Sequence, residues 1–166
     1  MMAWGLFRMI AAHLLSSTSL ILGWLIYLPL LCWAIWRAPW VELCSDLRRQ
    51  HLLGGTALAL FVLWLVRRDF DSGLSYHFIG MTAVTLLLDW PLAMLVGLIA
   101  QLGLLALGKQ DLAALGVNGV LLVVIPVWLT EACALWVEKK QPRNLFVYIF
   151  FSGFFAAALA ALLCIA

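Results

Sequence analysis

Among the ionisable side chains of this sequence, His77 has the neighbours best suited to holding a metal ion. It lies in LSYHFIGMTAVTLLLDWP, residues 74–91. On a helix, Met81, Val84 and Leu88 would share its face, because residues three and four apart stack on one side. An imidazole with a thioether one turn later offers mixed nitrogen and sulfur donors, a set that suits late transition metals. The competing reading is a histidine and a methionine packed or hydrogen-bonded inside a helix bundle. Ionisable groups within apolar spans are expensive, and their presence points to function.

Six further residues belong to the same inventory. Thr82, Thr85 and Asp89 fall on a different stripe of the helix, and Asp89, directly before Trp90-Pro91, reads as a side-chain cap of the following helix. Glu131 sits about 12 Å along a helix from Lys139. It is either a buried functional carboxylate or one that pairs with a polar group or snorkels to the interface. His13 precedes the first span and Asn118 opens the fifth. With an external N-terminus, His13, His77 and Asn118 all lie toward the outer face. No nucleophile elbow, Walker loop or His-Glu-x-x-His motif occurs, so no catalytic residue is assigned and the chain is not expected to be an enzyme. Cys32, Cys44, Cys133 and Cys164 show no Cys-x-x-Cys spacing, which argues against a zinc knuckle or redox pair.

The elements that must position these residues are set by composition. Of 166 residues, 66% are hydrophobic and 11% charged. An ordinary soluble domain has about 25% charged residues. The chain therefore reads as one integral membrane domain over residues 1–166, an all-α polytopic bundle in the lipid bilayer. The ten Lys and Arg cluster at the ends of apolar runs, with a net charge of +2, so a nucleic-acid partner is not expected.

The first span covers about Leu14 to Trp36, with a kink expected at Pro29. RAPWVELCSDLRRQ, residues 37–50, suits a short interfacial segment. A second span runs from about His51 to Val66. Residues 76–88 form about 20 Å of helix, short of a hydrocarbon core of roughly 30 Å. The break at Asp89-Trp90-Pro91 separates them from a helix over 91–107, with Pro91 in its first turn. Spans at 117–137 and 145–166 complete about six transmembrane helices. Six crossings place Arg37, Arg48, Arg49, Lys139, Lys140 and Arg143 on the cytoplasmic side, as the positive-inside rule favours, whereas five would split them. Small residues at four-residue spacing, Gly55 with Ala59 and Ser152 with Ala156 and Ala160, suit close helix packing within the chain or against a partner.

Three stretches carry a family resemblance. Ser75-Tyr76-His77-Phe78-Ile79-Gly80, the Asp89-Trp90-Pro91 break, and Ala114-Leu115-Gly116-Val117-Asn118 followed by Ile125-Pro126 resemble, in order and spacing, the substrate-specific membrane subunit of cobalt and nickel energy-coupling-factor ABC transporters. The resemblance implies a bacterial inner-membrane protein that captures Co2+ or Ni2+ as cargo, with no intrinsic cofactor. Its partners would be a transmembrane coupling subunit and ATPase subunits. It implies His77 as a metal ligand and Asn118 as a supporting residue. The family normally begins Met-His-Ile, whereas Met2 stands second in this chain. Residues 1–8 look like an extension, with Met1 or Met9 as the start. Either the metal site is rebuilt from His13, His77 and Met81, or the chain keeps the fold as a membrane scaffold or assembly partner.

Overall fold

The computed structural model describes residues 16–65 and 78–140, together with Gly153 and Ala158. His13, His77, residues 1–8 and almost all of the expected last span lie outside the described residues. Ser16 has an extended backbone, and its side chain accepts a hydrogen bond from the Ser19 amide at 3.2 Å. This N-cap starts α1, Ser17–Arg37, later than the Leu14 expected from hydropathy. The helix remains continuous across Pro29.

A polar corner follows. Pro39 leads into α2, Trp40–Ser45, and the Trp40 indole N–H donates to the Ile35 carbonyl at 2.7 Å. The Asp46 carboxylate then accepts from the Arg48 amide at 2.8 Å, which caps α3, Leu47–Leu65. Gln50 Nε2 donates to the Leu43 and Cys44 carbonyls, and Arg49 pairs with Glu42. These contacts let the second helix start well before His51. The exposed ion pair contributes little by itself.

The short helix is α4, Phe78–Leu88, about 16 Å long. Met81, Thr82, Val84, Thr85 and Leu88 are all buried, so the helix is enclosed on most of its circumference. One non-helical residue, Asp89, separates it from α5, Trp90–Ala106. Asp89 holds the N-cap position, with its carbonyl accepting from the Ala93 amide at 3.0 Å, and Pro91 lies in the first turn as expected. The expected side-chain cap is absent. Asp89 has φ 68°, outside the extended region from which a capping side chain normally reaches the N2 and N3 amides.

The third long element joins α6, Leu115–Gly119, a π-helical segment, Val120–Val124, and α7, Ile125–Lys140. Pro126 explains the wide turn. Its ring would meet the carbonyl four residues earlier in a regular α-helix, and it has no N–H to donate. Opening the preceding turn relieves both problems.

Helix α5 is the centre of the bundle and packs on α1, α3, α4, α6 and α7. Its buried residues include Leu92, Met94, Val96, Ala100, Gln101 and Leu104. Helices α1 and α6–α7 run parallel. A Cβ on Gly116 would lie 2.7 Å from the Trp24 amide nitrogen, and farther along Trp33 meets Trp128 with ring centroids 6.1 Å apart.

Around this core the outer faces are apolar: Ile21, Leu25, Trp36, Leu58 and Trp128 are all exposed. An aqueous protein rarely leaves so extended an apolar surface open, whereas lipid accepts it. Ser17–Arg37 and Leu115–Val137 are long and apolar enough to cross a membrane. The described residues thus form a helical membrane bundle. Gly55 and Ala59 face outward, and a Cβ on Gly55 would meet nothing within 4 Å, so this stripe does not pack within the described bundle.

Candidate functional site

One end of the bundle holds most of the buried polar residues, among them Gln101 and Asn118, whereas Thr130 lies toward the other. The parallel packing of α1 on α6 puts the first halves of both helices at that end. Helix α3 supplies the other alignment: a Cβ on Gly103 of α5 would lie 2.7 Å from the Phe61 ring, and one on Gly80 of α4 would lie 2.8 Å from the Leu60 and Leu63 side chains. The first turn of α4 therefore stands level with the last turns of α5. His77 immediately precedes that turn in sequence.

Lys109 and Asp111 lie in the α5–α6 connection at this end, and the polar groups buried inside it are neutral. The Tyr27 hydroxyl of α1 donates to Gln101 Oε1 of α5 at 2.9 Å, and both residues are fully buried. Gly119 of α6 lies against the Tyr27 ring, where a Cβ would come within 2.6 Å. Only a residue without a side chain permits this approach, and it brings the adjoining Asn118 to the level of the Tyr27–Gln101 pair. Asn118 is itself fully buried.

Met81 is also inaccessible, one turn into α4 and within the apolar core cluster. Its thioether is the soft donor expected there. Thr85 and Thr130 are buried, but their hydroxyls donate to the Met81 and Pro126 carbonyls of their own helices, at 2.8 and 2.7 Å. Their polarity is satisfied locally. Thr82 Oγ1 and Gln101 Nε2, by contrast, are buried without a hydrogen-bond partner.

Toward the opposite end, the turn at Asp89 is exposed, and Trp90 stacks against Trp33 at a centroid distance of 4.8 Å. Glu131 is half-buried on α7, about 20 Å along the helix from Asn118. Neither acid belongs to the neutral polar cluster. Among the described residues, no group of three His, Cys, Asp or Glu side chains is placed to hold a metal. Among the described residues, the groups at this end are amide, hydroxyl and thioether, together with the half-buried Asp111 carboxylate of the α5–α6 connection, while His13 and His77 lie outside the described residues.

Met81 and Asn118 are thus both placed in the bundle interior, on different neighbours of α5. Tyr27 and Gln101 are the buried partners that motif reading passes over. Their signal is present in the sequence, since a glutamine within WPLAMLVGLIAQLGLLA is a polar residue in an apolar span.

No curated protein and no solved structure matches the chain. A family model does match, described as CbiM, cobalt uptake substrate-specific transmembrane region, over residues 10–166. With the match covering all but the first nine residues, and with a helical membrane bundle beneath it, this chain belongs to the CbiM family of cobalt-uptake substrate-specific transmembrane proteins.

Proposed function

We propose that the chain is the substrate-capture subunit of an energy-coupling-factor-type ABC importer, resident in a bacterial inner membrane, with six crossings and an external N-terminus. The observation that carries this reading is the family match over residues 10–166. Its cargo is Co2+, with Ni2+ the chemically closest alternative, since imidazole, thioether and amide donors suit both ions. His77 is the central ligand, joined by His13 and Met81, with Asn118 supporting the site. A transmembrane coupling subunit and paired ATPases supply the energy for transport.

Titration of the purified protein with cobalt or nickel tests the metal role. The expected result is stoichiometric binding by the unsubstituted protein and its loss in His77→Ala. No binding by either, or equal binding by both, would defeat it. Co-purification tests the assembly: a coupling protein and ATPases should accompany the chain.

A second reading belongs to a different class of membrane protein. In that reading the fold persists as a membrane scaffold without cargo. Recovery of only an unrelated partner, from a protein that binds no metal, would select it.

A further inference from the structure

We propose that the corner between α1 and α3 is a binding site for an anionic phospholipid, with Arg37 and Arg48 holding the headgroup phosphate. The inference goes beyond cobalt capture and stands whether or not the chain binds a metal.

The depth of the corner follows from the length of α1. Its 21 residues make about 31 Å of helix, which matches a hydrocarbon core of roughly 30 Å. Arg37, the last residue, therefore stands at the boundary between acyl chains and headgroups. Trp36 beside it is 81% exposed, and an indole favours that level. Helix α2 is held against the same end of α1, because the Trp40 indole N–H donates to the Ile35 carbonyl at 2.7 Å. Val41 on α2 and Leu47 at the start of α3 are 84% and 70% exposed. Apolar side chains so open on a polar corner are misplaced in water, whereas the acyl boundary of a bilayer accepts them. The corner thus lies along the membrane surface.

Charge selects the lipid. The corner carries Arg37, Arg48 and Arg49 against Glu42 and Asp46. Arg49 pairs with Glu42, and the Asp46 carboxylate accepts from the Arg48 amide at 2.8 Å, so both acids are engaged within the corner. Arg37 and Arg48 are exposed, and among the described residues neither guanidinium pairs with a carboxylate. They flank α2, whose six residues span about 9 Å. A guanidinium at headgroup depth donates forked hydrogen bonds to phosphate oxygens. A zwitterionic lipid brings its own ammonium to balance that phosphate, whereas an anionic lipid leaves the balancing to the arginines.

The corner is also preformed. Gln50 Nε2 donates to the Leu43 and Cys44 carbonyls at 3.0 and 3.1 Å, which fixes α2 against α3. Little backbone ordering remains to be done when the lipid arrives, and that lowers the cost of binding.

The test uses the full-length protein in a nonionic detergent, titrated with phosphatidylglycerol or phosphatidylcholine of the same acyl chains. Native mass spectrometry counts the bound lipids, and thermal unfolding is recorded in parallel. The unsubstituted protein should bind phosphatidylglycerol about 25-fold more tightly, each of the two arginines supplying about fivefold. Arg37→Gln and Arg48→Gln should each lose about fivefold, and the double variant should bind the two lipids alike. The lipid-free melting temperature should stay level, because both side chains are exposed. Val41→Ser with Leu47→Ser should instead weaken both lipids to the same degree.

Equal binding of the two lipids by the unsubstituted protein would overturn the proposal. So would an undiminished preference in the stably folded arginine variants. Displacement of phosphatidylglycerol by millimolar inorganic phosphate would show that the arginines hold a free anion, and would overturn the lipid assignment.

Discussion

At Met81, packing and chemistry compete for the same atoms. The side chain is fully buried in the core cluster, as a gap-filling methionine would be, yet it lies one turn into the helix that follows His77. Met81→Leu separates the two roles, because this near-isosteric exchange usually costs less than about 1.5 kcal/mol of stability. The expected outcome is weaker cobalt binding with thermal unfolding nearly unchanged, measured by titration and a melting curve on the same preparation. Equal affinity would return Met81 to the core. His77, Met81 and Asn118 are legible as candidates because each carries a distinctive donor at a readable spacing. Gln101 is visible in the sequence only as a polar residue in an apolar span, and its pairing is not, because Tyr27 lies 74 residues away and only the packing of α1 on α5 joins them. The Asp89 carboxylate looks like a cap in sequence for a different reason: local composition does not reveal that its backbone has φ 68°.

At the scale of elements, the two ends of the bundle are held by different devices and should respond differently to substitution. At the polar end, α1 and α6 approach closely enough that Gly119 touches the Tyr27 ring. Gly119→Ala must push that ring aside, at a cost of about 1–3 kcal/mol for overpacking, and should also disturb the Tyr27–Gln101 bond. At the other end, Trp33 joins α1 to α5 and α7 through tilted contacts with Trp90 and Trp128. Trp33→Leu should cost about 1–2 kcal/mol, since each aromatic pair contributes roughly 0.5–1.5 kcal/mol and Trp33 is partly exposed. Both variants should melt at lower temperature, but only Gly119→Ala should lose cobalt affinity. Equal loss in both would mean that binding follows global stability. The elements themselves are largely readable, because apolar runs and the Asp-Trp-Pro break mark helices directly. The earlier start of α3 is not, as it depends on the Asp46 cap and the Gln50 contacts across the corner. The π-helical segment also escapes, although Ile125-Pro126 marks a helix that must adjust.

At the scale of the whole molecule, the parallel packing of α1 and α6–α7 supports the topology that charge counting favours only weakly. Gly116 against Trp24 and Trp128 against Trp33 occur in the same order along both helices. The Arg37 and Lys139 ends therefore lie on one side. A single crossing over residues 76–107 would reverse one of these helices, whereas the α4–α5 pair with its break at Asp89 keeps them parallel. In the proposed topology that side is cytoplasmic, and the positive-inside rule is then met by Arg37, Arg48, Arg49, Lys139 and Lys140. Cys44 is a natural reporter, being exposed on α2. In a variant whose other cysteines are replaced, Cys44 should react with an impermeant maleimide only after the cytoplasmic face is opened. With Cys44 also replaced, Lys109→Cys in the α5–α6 connection should react in intact cells. Labelling of both positions from the same side would break the six-crossing topology, and reversed labelling would place the Tyr27–Gln101 end at the cytoplasmic face. The outcome matters for mechanism, because a capture subunit must open its polar end outward before any coupling partner acts on the other.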